Sequence, residues 1–167
     1  SISGCSIGSL IGGAYATGKL DAVVEWMESF TRKEIYSMLD LSFTWNSLVK
    51  GDKMMAAIQS KIGTDLIEDL PIKFTAVAAN IAAEKEHWFQ SGPIDQAIRA
   101  SVSLPLFFTP HNVGGVQLID GGILNPTPIE PTLSDNTDIS IAVDLGGPLM
   151  KEAALEPEEA RSSWQRK

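Results

Sequence analysis

The chain has 167 residues, which is long enough for one ordinary domain and short for two. Hydrophobic residues make up 44% and charged residues 20% of the sequence, which excludes a disordered, collagen-like or disulfide-framework protein. The net charge of −8 argues against nucleic acid as the main partner, because phosphate binding depends on clustered Lys and Arg. The single cysteine, Cys5, indicates a reducing compartment, and we expect a cytoplasmic protein.

The first half of the chain is predicted to be mostly helical. Ser1–Gly4 has the pattern of the end of a buried strand, and apolar residues at helical spacing then predict a helix that ends at Gly18. Further helices are predicted over residues 20–30, 31–39 and 51–63. Residues 36–49 lie between them without a clean period. This segment is either a flap over an apolar cleft or plain packing between helices.

The second half alternates strands with shorter helical stretches. Buried strands are predicted over residues 72–79 and 139–143, a more exposed strand over 86–90, and a hairpin around 113–116 whose second strand ends at Asp120. A short helix is predicted to begin at Pro93. Interleaved helices and strands favour an α/β fold with a mostly parallel central sheet flanked by helices, and an α+β arrangement of bundle and sheet is the alternative.

The sharpest motif is Gly4-Cys5-Ser6-Ile7-Gly8, a G-x-S-x-G placed between a strand and a helix. A sharp turn of this kind projects the apex hydroxyl of Ser6 away from the sheet, and small residues two places to either side let strand and helix approach. The helix N-terminus behind Ser6 offers free N–H groups that favour developing negative charge. The motif therefore predicts a serine nucleophile. The alternative is a non-catalytic glycine-rich turn that is capped by a serine.

A serine hydroxyl needs a base to take its proton, and the sequence offers two candidates. Asp120 ends a strand and is followed by two glycines, which allow close approach of the backbone. The other candidate is His111, oriented by an acid from one of three positions, Asp65, Asp69 or Asp95. The whole chain has only two histidines, which are too few ligands for a typical multi-histidine metal site.

Three stretches of this sequence resemble the patatin-like phospholipases, especially the bacterial ones. They are the Gly4–Gly8 elbow with its continuation to Ala16, the run Arg99–Pro105 with its R-A-S-x-S-x-P pattern, and the D-G-G-x-x-N-P segment within Leu118–Pro126. Their order and spacing are similar to that family from residue 1 to about residue 147. The D-G-G-x-x-N-P segment downstream of R-A-S-x-S-x-P is more specific than the elbow.

The resemblance implies a Ser–Asp dyad, with Ser6 as the nucleophile and Asp120 as the base, acting through an acyl-enzyme without a metal or cofactor. It also implies a three-layer fold and a lipid or acyl-ester substrate, with peripheral contact to a membrane surface as a further expectation. The hydrolase domain is expected over residues 1–150, and residues 151–167 are expected to form a helical or frayed tail.

The family places a glycine-rich loop, which supplies oxyanion-hole N–H groups, on a strand before the elbow. The present sequence begins at Ser1 without that loop, so we expect a fragment that is truncated at its N-terminus and weak or inactive by itself. Two other interpretations stay open. One is a regulatory or scaffold module that retains the hydrolase fold, and the other is an esterase with a Ser6–Asp–His111 triad.

Overall fold

The computed structural model describes residues 1–31, 55–105 and 108–147. Two predicted segments therefore lie wholly outside the described residues, namely 36–49 and the tail 151–167. Of the helix predicted over 31–39, only residue 31 is described. In chain order the described elements are β1 (Ile2–Cys5), α1 (Ile7–Ala16), α2 (Leu20–Glu28), α3 (residues 55–62), β2 (Phe74–Asn80), β3 (Lys85–Phe89), α4 (Ile94–Ser101), β4 (His111–Val113), β5 (Val116–Asp120) and α5 (Glu130–Leu133). Short 3-10 turns occupy Ile67–Asp69 and Gly121–Ile123.

One five-stranded sheet organises these elements, and β2 is its central strand. β1 pairs with β2 in parallel, whereas the pairs β2–β3, β2–β5 and β4–β5 are antiparallel. The α/β class and the central sheet flanked by helices are thus confirmed. The sheet itself is mixed rather than mostly parallel in the described ranges, because β3 and β5 reach β2 through connections that reverse the chain direction.

Strands β1 and β5 share one edge of β2, which follows from the register of the pairs. Ala76 of β2 pairs with Gly4 on one side and with Phe89 of β3 on the other. Ala78 pairs with Asp120 on one side and again with β3 on the other. Since a strand has only two edges, β1 and β5 lie end to end on the edge opposite β3. Their C-terminal ends point towards each other at the junction between positions 77 and 78 of β2.

The main hydrophobic core lies between one face of the sheet and the helices α1 to α4. Alternate strand residues share a face, and the core-facing set includes Phe74, Ala76, Ala78 and Leu118, all at most 1% exposed. On the opposite face, the Cys5 thiol donates a hydrogen bond to the backbone oxygen of Pro126. The segment that follows β5 therefore covers the second face, and the sheet lies between two layers.

The strand predicted over residues 139–143 is wrong for this structure. Ile139, Ile141 and Val143 form no strand, and their side chains are 78%, 87% and 74% exposed. The alternating apolar pattern expresses a preference for a half-buried pleated surface, and that preference takes effect only where a neighbouring strand supplies hydrogen bonds. No strand in the described part of the chain pairs with this segment.

Candidate active site

Ser6 occupies a strained backbone conformation between β1 and α1. Its φ of 51° and ψ of −128° place a non-glycine residue in the left-handed half of conformational space. Such conformations cost about 1–3 kcal/mol and persist only where the surroundings enforce them, often at active sites. Ser6 is half-buried. Its backbone N–H and oxygen form hydrogen bonds, whereas its hydroxyl forms none with the residues that the structure describes.

The two glycines of the G-x-S-x-G motif have different roles. A Cβ atom on Gly4 would overlap the backbone carbonyl group of Gly8 and approach the nitrogen of Ser9 to 2.8 Å. A Cβ on Gly8 would meet nothing within 4 Å. The close approach of strand and helix therefore requires a glycine at position 4, whereas position 8 has room for a Cβ atom.

The first turn of α1, which directly follows Ser6, begins with unpaired N–H groups. The backbone oxygen of Ser6 accepts from the N–H groups of Ser9 and Leu10 at 3.0 and 3.3 Å, which starts the helical ladder. The N–H groups of Ile7 and Gly8 precede that ladder and have no acceptor among the described residues, as expected for a helix N-terminus. They can donate to a negatively charged oxygen that develops near Ser6.

Asp120, at the end of β5, is a buried acid with one free oxygen. Its side chain is 2% exposed, and Oδ1 accepts a hydrogen bond of 2.8 Å from the N–H of Gly122. Oδ2 has no hydrogen-bond partner in the described part of the chain. A Cβ on Gly121 would overlap the backbone carbonyl group of Val77, so glycine lets the turn after Asp120 lie directly against β2.

The fold brings the ends of β1 and β5 together. Cys5 pairs with Val77 and Asp120 pairs with Ala78, so the two motifs meet at adjacent positions along one edge of β2. The Asp120 carboxylate lies close to Cys5, because a Cβ on Gly122 would be 3.1 Å from Asp120 Oδ1 and 3.8 Å from Cys5 Sγ. Burial first, and the Asp120 charge second, raise the pKa of the Cys5 thiol to about 11. No hydrogen bond joins the Ser6 hydroxyl to Asp120 in this structure.

The alternative base, His111, lies on the outer strand β4 and forms its hydrogen bond elsewhere. Its Nε2 is 2.8 Å from Oε1 of Gln96. Burial and, to a smaller extent, the charge of Arg99 lower the pKa of His111, and the charge of Asp95 partly opposes them. Gln96 follows Asp95 in α4, so Asp95 also lies near His111. The structure shows no contact between His111 and Ser6.

The three acids proposed as orienters of His111 are engaged differently. Asp95 is buried, and its Oδ2 accepts from the side-chain amides of Gln59 and Gln96 at 2.8 and 3.0 Å. Its Oδ1 has no partner among the described residues. Asp65 forms an ion pair with Lys19 at 2.7 Å, and Asp69 ends a 3-10 turn.

Two contributions to the site were not assigned from the sequence. Ser101 and Ser103, both fully buried, contact the backbone of Ser6 and Asp120, and the R-A-S-x-S-x-P pattern was the signal that could have revealed them. Asn125 donates from its side chain to Oε1 of Glu86 at 2.9 Å, which fastens the loop after Asp120 to β3. Pairing of an amide and a carboxylate 39 positions apart leaves no signal in a single sequence.

The sequence that contains this elbow and acid matches a family of known proteins. The sequence model of the patatin-like phospholipases matches residues 1–133. The chain belongs to the patatin-like phospholipase family. Among the described residues of this patatin-like chain, no group of three or more His, Cys, Asp or Glu side chains is placed to hold a metal ion.

Related proteins come from bacteria, animals and fungi. An uncharacterized NTE family protein of Mycobacterium tuberculosis is 43% identical over 146 residues, which are 87% of this chain and 41% of that protein. A patatin-like phospholipase domain-containing protein of Caenorhabditis elegans is 34% identical over 155 residues, 87% of this chain and 11% of the relative. A lysophospholipase of Debaryomyces hansenii is 31% identical over 153 residues, 87% of this chain and 10% of the relative. The chain thus spans less than half the length of each of these relatives.

Proposed function

We propose that this patatin-like chain is a serine lipid acyl hydrolase in which Ser6 is the nucleophile and Asp120 is the base. The observation that carries the proposal is the register, which brings the C-terminal ends of β1 and β5 together on one edge of β2. The strained backbone of Ser6 and the unpartnered Oδ2 of Asp120 support it, because both are costly features that packing alone does not explain.

In the first half of the reaction, Ser6 Oγ attacks the carbonyl carbon of an ester while its proton passes to the Asp120 carboxylate. The negative charge that forms on the carbonyl oxygen is stabilised by N–H groups at the start of α1, those of Ile7 and Gly8. Collapse of this intermediate breaks the ester bond, and the leaving alcohol takes the proton from Asp120. The acyl group remains covalently attached to Ser6.

In the second half, water attacks the acyl-enzyme and gives a proton to Asp120. The acyl–oxygen bond to Ser6 then breaks, Ser6 regains its proton, and the fatty acid leaves. A buried carboxylate suits this task, because Oδ1 is held by Gly122 whereas Oδ2 is free to receive the proton. The same group serves as base and acid in both halves, so no histidine is required.

The substrate class is proposed from the family and from the name of one relative. The Debaryomyces hansenii protein is a lysophospholipase, which favours lipid acyl esters for this chain as well. No helix in the described ranges is long and apolar enough to cross a membrane. From the family's lipid substrates we propose peripheral contact with lipid, and from the single cysteine a cytoplasmic location. The proposed hydrolase domain covers residues 1–150 and is followed by the tail 151–167.

Burst kinetics of the full-length protein with a chromogenic carboxylic ester test this proposal. The expected result is a rapid release of about one alcohol per active site, followed by slower turnover. Ser6→Ala should lower the rate more than about 10³-fold. Ser60→Ala is the matched control, since Ser60 is exposed and donates only to the backbone oxygen of Ala57 in α3. Full activity of Ser6→Ala would overturn the proposal, and absence of hydrolysis with intact partner binding would favour the scaffold interpretation.

A further inference from the structure

The hydroxyl of Ser101 is inserted into the hydrogen-bond ladder between β1 and β2. In this parallel pair the N–H of Ile2 donates to the backbone oxygen of Lys73 at 2.8 Å. The same spacing, continued along the strands by steps of two, would direct the N–H of Ser6 to the backbone oxygen of Val77. Instead, the Ser6 N–H donates to Ser101 Oγ at 2.9 Å, and Ser101 Oγ donates to that oxygen of Val77 at 2.7 Å.

This insertion occurs where β1 has to leave the sheet. The next position on the edge of β2 is Ala78, which pairs with Asp120 of β5. The Ser6 backbone therefore cannot continue along β2, and the serine hydroxyl bridges the gap that opens as the chain turns into α1. The Ser6 N–H and the Val77 oxygen would otherwise have no hydrogen-bond partner, and the buried Ser101 hydroxyl bonds to both.

A second contact links the same segment to the acid. The N–H of Asp120 donates to the backbone oxygen of Ser103 at 3.0 Å, two residues after Ser101. Ser101 ends α4, and both serines are 0% exposed. The end of α4 thus holds both proposed catalytic residues by their backbones. The side chain of Ser101 binds the N–H of Ser6, and the backbone oxygen of Ser103 binds the N–H of Asp120.

We infer that Ser101 is a positioning residue, whose hydroxyl fixes the elbow so that the Ser6 oxygen faces Asp120. The inference rests on the proposed function. Small displacements of a reacting group are costly, because misplacement by about 1 Å can lower a rate about 10²-fold. The site residues keep their identity when Ser101 is changed, so an effect on the chemical step should appear in kcat rather than in KM.

The test uses Ser101→Ala in the purified native protein, with kcat and KM for a chromogenic ester and with thermal unfolding of every variant. Ser101→Ala should lower kcat by about 10- to 100-fold and change KM less than about twofold. Ser101→Thr, which restores a hydroxyl, should recover most of the lost kcat. The matched control is Thr75→Val on β2, where an equally buried hydroxyl that accepts only from Gln90 is removed without contact to Ser6.

The inference is overturned if Ser101→Ala lowers kcat no more than Thr75→Val, or if Ser101→Thr fails to recover kcat although it folds. If Ser101→Ala does not fold, Ser101→Cys takes its place, because its thiol fills similar space with a weaker donor and acceptor. A folded cysteine variant with parental kcat then overturns the inference, and a reduced kcat with unchanged KM supports it.

Labelling of Ser6 with a fluorophosphonate separates this inference from the proposed function. If the parent protein hydrolyses esters and is labelled at Ser6, the proposed function stands, and the Ser101 variants test the inference alone. If the full-length protein is neither labelled nor active, the proposed function fails, and the inference fails with it because there is no nucleophile to position.

Discussion

The two halves of the candidate site are built over very different distances along the chain. At the elbow, the glycine that allows close approach contacts a backbone only four positions away, Gly4 against Gly8. At the acid, the corresponding glycine contacts a different strand, Gly121 against Val77. The geometry of the proposed nucleophile is therefore set by a short local sequence, whereas that of the proposed base depends on the register of an antiparallel pair. A change at the elbow should act locally, and a change in register should separate the two groups.

Among the substitutions that test this difference, Gly4→Ala is expected to have the largest effect on stability and activity. The added methyl group overlaps the Gly8 backbone, which cannot move without displacing the start of α1. We expect a loss of about 1–3 kcal/mol in the free energy of unfolding and of most ester hydrolysis. Thermal unfolding and kcat measure the two effects.

Gly8→Ala is the matched control in the same motif. Its methyl group meets nothing within 4 Å, and alanine favours a helix over glycine by up to about 1 kcal/mol. The expected result is unchanged or slightly increased stability. Equal destabilisation by the two substitutions would contradict the local origin of the elbow.

The same contrast explains what the sequence could and could not predict. The elbow between a strand and a helix was predictable, because Gly4 to Gly8 act within one turn, and the end of a strand at Asp120 was predictable from Asp-Gly-Gly. The placement of β1 and β5 on one edge of β2 was not, since it depends on pairing between distant strands. The resemblance to a family supplied Asp120 as the expected partner of Ser6, a choice that the residues alone left open against His111.

Apolar alternation was informative in one stretch and misleading in another. Val116–Asp120 forms β5 because β2 and β4 both present edges to it. Residues 139–143 carry a comparable pattern but have no neighbouring strand among the described residues, and they remain exposed. A pattern specifies the preference of a segment, and the neighbouring strands decide whether the preference is realised.

A smaller effect is expected at Cys5, which reports on the distance between the two motifs. Its pKa is raised to about 11 from an ordinary value of 9.0, first by burial and then by the Asp120 charge. Asp120→Asn should lower this pKa part of the way, because burial remains, and Asp95→Asn should leave it unchanged. The chain has one cysteine, so ¹³C labelling of Cys followed by NMR titration gives the value directly.

The raised pKa also fixes the sign of a pH effect on stability. The folded state holds the thiol proton more tightly than the unfolded state, so this contribution is fully present below pH 9 and is lost as pH rises towards 11. The free energy of unfolding should therefore fall over that range, and less steeply in Asp120→Asn. An equally steep fall in both proteins would contradict close contact between the Asp120 charge and Cys5.

The rate at which a fluorophosphonate labels Ser6 is the most direct measurement of whether Asp120 activates it. Asp120 and Asp95 are both buried, and each has one carboxylate oxygen without a partner among the described residues, so their asparagine variants are closely matched. Asp120→Asn should lower the labelling rate at least about 10²-fold, whereas Asp95→Asn should leave it within about threefold of the parent protein. Loss of labelling in Asp95→Asn, with a parental rate in Asp120→Asn, would contradict the Ser–Asp dyad and favour the triad through His111.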